Sequence, residues 1–221
     1  MPKRILFLFL LFTIYIVNAQ TNSKATIDQL VSNYIKELQS RKIDTICVYE
    51  SYCVGSIMTY DEPLVGNKET CIDDLTNEPA YLFWKEKGKT FLTKINYCWE
   101  FSTVNIPKDD FWQIYFSNDK TIKEEIIKPY EYETYENSKK VRYRKLVDHS
   151  CHHNFRLLLK GKIIEKRFDD FALQKKDQYS QESNINYEHN INLKSKLIVD
   201  ILEKITSEAE KNNTFKKIKS R

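Results

Sequence analysis

Residues 80–100 read AYLFWKEKGKTFLTKINYCWE, two runs of aromatic and β-branched residues, 80–86 and 89–100, joined by Lys87-Gly88. A two-residue link ending in glycine suits a β-hairpin, because the tight turn needs backbone angles that glycine adopts without steric cost. In the second arm Phe91, Thr93, Ile95, Tyr97 and Trp99 alternate with Leu92, Lys94, Asn96, Cys98 and Glu100. The first set is expected to face the core.

The same design recurs downstream, where Lys160-Gly161-Lys162 joins residues 154–159 to 163–168. Tyr130, Glu131, Tyr132 and Glu133 alternate with period two, and residues 141–147 are placed to pair with them or a neighbour. Residues 45–60 are β-branched and aromatic and read as one bent strand or two, bulged at Gly55. These stretches predict an antiparallel sheet built from hairpins.

Helical patterns lie at both ends. Ile27, Leu30, Val31, Tyr34, Ile35 and Leu38 recur at three- and four-residue spacing behind Thr26, a suitable N-cap. Leu193, Leu197, Ile198, Ile201, Leu202 and Ile205 trace a second apolar stripe behind Asn192. Pro107, Asp109 and Asp110 suit the start of a short helix with Phe111, Ile114 and Tyr115 inward, and 121–127 predicts another. Residues 61–79 and 174–190 read as loops. The expected fold is α+β, an antiparallel β-sheet of hairpins with the N-terminal and C-terminal helices on one face.

The first nineteen residues pair Lys3 and Arg4 with an apolar run from Ile5 to Val17, ending Val17-Asn18-Ala19. That pattern predicts a signal peptide over 1–19, cut after Ala19, and a secreted or periplasmic bacterial protein. A run of thirteen residues falls short of the roughly twenty that span a bilayer, so membrane contact is expected only through an uncleaved leader. A single domain over 20–210 and a basic, solvated tail over 211–221 complete the expected organisation.

Without Lys3 and Arg4 the formal charge falls from +4 to +2, too little to attract nucleic acid. Four glycines, none clustered, exclude a phosphate-cradling loop and with it a nucleotide. No cofactor is expected.

Five cysteines, Cys47, Cys53, Cys71, Cys98 and Cys151, predict one or two disulfides in an oxidising compartment, with a thiol left over. Cys47 or Cys53 is expected to bridge to a neighbouring strand or to the loop carrying Cys71. Three of the four histidines sit in Asp148-His149-Ser150-Cys151-His152-His153. On a strand His149, Cys151 and His153 share a face, which makes them candidate metal ligands. The same three, with the distant His189, are candidates for a histidine-activated thiol nucleophile at Cys151. A structural reading competes: Cys151 and His153 share parity with Phe155, Leu157 and Leu159 and continue their apolar face.

Tyr130, Tyr132, Tyr135 and Tyr143, interleaved with Glu and Lys, form a candidate surface for a protein, peptide or glycan partner. The sequence therefore favours an exported binding or interaction module. The alternative is a thiol- or metal-dependent hydrolase centred on Cys151 and the neighbouring histidines.

Overall fold

The computed structural model describes residues 26–55 and 78–221. The leader expected over 1–19, Cys71 and most of the loop expected over 61–79 lie outside the described residues.

Helix α1 (Ile27–Ser40) begins in a capping box: the Gln29 amide donates to Thr26 Oγ1 at 3.2 Å, and the Thr26 amide to Gln29 Oε1 at 2.8 Å. Val31, Ile35 and Leu38, spaced by four and three, form its buried face. Strands β1 (Thr45–Val54), β2 (Ala80–Glu86), β3 (Lys89–Ile95), β4 (Trp99–Phe101) and β5 (Val104–Ile106) follow. Helices α2 (Asp110–Ser117) and α3 (Asp119–Glu124) lead to β6 (Glu131–Glu136) and β7 (Lys139–Arg144), then β8 (Ser150–Leu159) and β9 (Lys162–Asp169). A short 3-10 turn (Phe171–Leu173), α4 (Tyr187–Ile191), α5 (Lys194–Lys211) and β10 (Lys217–Ser220) close the chain.

The main sheet is antiparallel, in the order β10-β4-β3-β2-β1-β8-β9 with β5 also paired to β3. Strands β6 and β7 form a separate hairpin. Three turns have two consecutive residues at positive φ: Lys87 and Gly88, Lys160 and Gly161, Asn137 and Ser138. That is the backbone twist which matches the right-handed twist of the flanking strands.

The two terminal helices occupy opposite faces of the sheet, not one. Strand β2 explains why: Ala80, Leu82 and Trp84 pack with Ile46, Val48 and Ile95 under α1, whereas Tyr81 and Phe83 pack with Cys47, Tyr49 and Leu92 under α2 and α5. An uninterrupted apolar run such as Ala80-Tyr81-Leu82-Phe83-Trp84 marks a strand covered on both sides. The expected division of the second arm changes accordingly, since Leu92 and Ile95 are both buried and on opposite faces. Strand β3 also ends at Ile95, with the Asn96 side chain accepting from the Cys98 and Trp99 amides as the chain turns.

Three further details differ from expectation. Asn192 does not cap α5; its first amides, Lys194 and Ser195, donate to Glu125 beyond the end of α3 at 2.6 and 2.9 Å. The basic C-terminal residues are exposed, but 217–220 add a strand to β4 instead of forming a free tail. Within 174–190, buried Asn184, Asn186 and Asn190 bond to backbone carbonyls of Ala172, Pro129 and Lys128 at 2.8 to 2.9 Å, so side-chain amides organise that loop. Among the described residues no helix is long and apolar enough to cross a membrane.

Candidate functional site

Alternation along β8 separates two chemistries. Cys151, His153, Phe155 and Leu157 turn toward the core under α2 and α5, and Ser150, His152, Asn154 and Arg156 turn to the other side.

On the first side Cys53 and Cys151 are cross-strand partners and form a disulfide, with α-carbons 3.9 Å apart. Cys151 thus has no thiol to attack a substrate or ligate a metal, which corrects both of its candidate roles. Cys98 is also disulfide-bonded. Cys47 is a buried free thiol, and burial pushes its pKa far up, leaving it un-ionised and unreactive. The Cys53–Cys151 bridge is consistent with an oxidising compartment.

The histidines do not assemble. His149 precedes β8, and its ring lies so close to Gly55 that a Cβ there would come within 2.1 Å. His153 is buried, with Nδ1 3.0 Å from the Tyr49 hydroxyl and Nε2 3.1 Å from the Asp170 carboxylate. The Asp170 hydrogen bond raises its pKa above the ordinary imidazole value despite burial. His189 hydrogen-bonds the Ile126 carbonyl at 2.9 Å. No group of three or more His, Cys, Asp or Glu side chains is arranged to hold a metal ion among the described residues.

The tyrosines divide as well. Tyr130 is a core residue, not a surface one: it stacks on Phe171 at 4.5 Å and donates to the Glu182 carbonyl. Tyr132 and Tyr143 are cross-strand partners with rings stacked 5.6 Å apart, and Tyr143 donates to Glu136. Tyr135 alternates to the other side of the hairpin and is 74% exposed, so the four do not make a common platform.

A cleft of about 400 Å³ opens where the ends of β8 and β9 meet the base of the β6–β7 hairpin. Its apolar surface comes from Ile127, Pro129, Tyr130, Leu146, Val147 and Phe171. Its polar groups are His152, Asp169, Arg167, Arg144, Lys145 and Lys128. Asp169 Oδ1 accepts from the Ser150 hydroxyl and, at 2.8 Å, from the Phe171 amide, which fixes the carboxylate as a structural acceptor. Lys145 is engaged by Asp177 at 2.8 Å and Glu182 at 3.1 Å, and that ammonium with the Tyr179 and Ser180 amides holds the Asp177 pKa down to about 2.

The remaining guanidiniums are less committed. Arg167 lies over the Tyr52 ring at 5.7 Å and makes no ion pair among the described residues. Arg144 stays 3.9 Å from its nearest carboxylate, Glu131. His152 Nδ1 is buried without a hydrogen-bond partner among the described residues, 4.0 Å from Asp169 Oδ2 and beyond bonding reach. His152, Arg144, Arg167 and Asp169 are the site residues that sequence reasoning missed. Only His152 had a signal, the parity opposite to Cys151, where polar residues 150, 152, 154 and 156 alternate with the buried set.

No protein-family model, curated protein or solved structure matches this chain.

Proposed function

We propose that this is an exported binding module, stapled by a disulfide, that takes an extended protein segment along strand β9. The observation that carries the reading is the state of that strand. Among the described residues β9 pairs on one side with β8 and is the last strand of the sheet. The Asp170 amide bonds the Cys151 carbonyl opposite it, so even-numbered residues of β9 point their backbone groups at β8. Ile163, Glu165 and Arg167 therefore direct N–H and C=O groups outward, a template for one more strand.

Charge favours a foreign segment over a second copy of the chain. Two antiparallel β9 strands centred on 165 oppose Glu165 to Glu165, and centred on 166 they oppose the inward, buried Lys166 to itself. Inward lysines on edge strands act against self-association. The bridged Cys151 weighs against the hydrolase alternative.

The test is selection of displayed peptides on the wild-type chain, followed by binding to Glu165→Pro. Proline at 165 removes an outward N–H and leaves the β8 ladder intact. The expected result is at least about tenfold weaker binding at unchanged thermal stability, the equivalent of one hydrogen bond in a dry contact. Should Glu165→Pro fold poorly, Ile163→Pro removes the neighbouring outward donor. Peptides that bind both proline variants as tightly as the wild type, or a selection that returns none, refute the reading.

A further inference from the structure

We infer that the cleft at the end of β9 is a carboxylate anchor for the segment that binds along that strand. The inference rests on the β9 reading for the identity of the ligand, and on the cleft itself for the chemistry.

Position comes first. Arg167 and Asp169 belong to β9 and also line the cleft, so a segment paired along the outer edge of β9 runs into it at one end. Charge comes second. Asp169 is held through Oδ1 alone, by the Ser150 hydroxyl and the Phe171 amide, and Lys145 is paired with Asp177 and Glu182. Arg144, Arg167 and Lys128 are left facing the cleft and outnumber the Asp169 carboxylate, and the two guanidiniums, from two different elements, are suited to forked recognition of a carboxylate.

Third is His152, whose ring lines the same wall and lies 5.3 Å from the Tyr52 ring, so that its resonances report a ligand entering the cleft. Last is the apolar lining. Leu146 is 82% exposed and Val147 40%, beside Ile127 and Pro129, which suits an apolar residue next to the charged group. A volume of about 400 Å³ accommodates one or two residues, not a folded domain.

The carboxylate can belong to a chain terminus or to an acidic side chain, and the experiment separates them. The full chain, labelled for NMR, is titrated with an acetylated Thr-Val-Thr-Val peptide as the free acid, with its C-terminal amide, and with an amide in which Glu replaces the last Val. Decanoate serves as a lipid-like anion. The expected result is at least about tenfold tighter binding of a carboxylate-bearing peptide than of the plain amide, with shifts at the Arg144 and Arg167 side chains and at His152.

That preference should vanish in Arg167→Gln and in Arg144→Gln and persist in Arg142→Gln, which lies on the same hairpin outside the cleft. A preference shown by the free acid alone assigns the terminus, and one shared by the Glu peptide assigns the acidic side chain. Equal affinity for acid and amide, with β9 amides still shifting, overturns the anchor and leaves the edge reading standing. Absence of β9 shifts with every peptide overturns both. Arginine-dependent binding of decanoate without any peptide binding overturns the peptide assignment.

Discussion

Asn190 pairs with Lys128 as a neighbouring strand would: its Oδ1 accepts from the Lys128 amide at 2.9 Å and its Nδ2 donates to the Lys128 carbonyl at 2.8 Å. The same Nδ2 also reaches the Ala172 carbonyl at 3.0 Å. A fully buried side chain thus satisfies backbone groups of two segments, and both segments, Ile127–Tyr130 and Phe171–Ala172, line the cleft.

Replacing Asn190 by Ala leaves those groups dry and unpaired, and the expected loss is about 2–4 kcal/mol of stability. Urea denaturation measures it. A loss under about 0.5 kcal/mol, the ordinary range of a surface substitution, contradicts this role.

The Cys53–Cys151 bridge closes a loop with a sequence separation of 98 residues. Constraining so long a loop in the unfolded chain predicts that the double variant Cys53→Ala, Cys151→Ala loses about 2–4 kcal/mol. Thiol mapping of the native protein should leave both cysteines unlabelled and label Cys47 after unfolding. Labelling of Cys151 in the folded protein would revive the nucleophile reading.

His153 couples stability to pH. Its pKa is raised in the folded state by Asp170, so the contribution is complete below the unfolded value of about 6.5 and is lost as pH rises through the higher folded value. Denaturation midpoints should therefore decline between weakly acidic and alkaline pH, and Asp170→Asn should flatten that decline. An NMR titration placing His153 at or below the ordinary imidazole value excludes the effect.

Gly55 has φ +77° with the His149 ring against it, whereas Gly88 has φ +76° and open space around it. Alanine at Gly88 is expected to cost about 1–2 kcal/mol for the left-handed backbone alone. Alanine at Gly55 adds a clash and should cost visibly more, with His149→Ala recovering the excess. Equal melting temperatures for the two glycine variants run against this.

Local chemistry made the hairpins legible: Lys87-Gly88 and Lys160-Gly161 announce their turns. Asn137-Ser138 adopts the same angles without glycine, so that turn had no comparable signal. Thr26 and Gln29 announce the first helix, but the cap of the last one comes from Glu125, remote in sequence, and no local pattern contains it. Alternation correctly grouped Cys151 and His153 with Phe155, and it drew notice to the structural face of β8. The cleft depends on Arg144, His152 and Arg167 meeting across three strands, which periodicity within a single segment does not encode.

β1 sits between β2, which follows it shortly, and β8, which reaches it only about a hundred residues later. A chain made amino end first must hold that strand half-matched until the far side of the sheet emerges, a long-range closure of the kind that slows folding. Oxidation of Cys53 with Cys151 consequently timestamps maturation: the covalent link can form in register only once the last central seam has zipped.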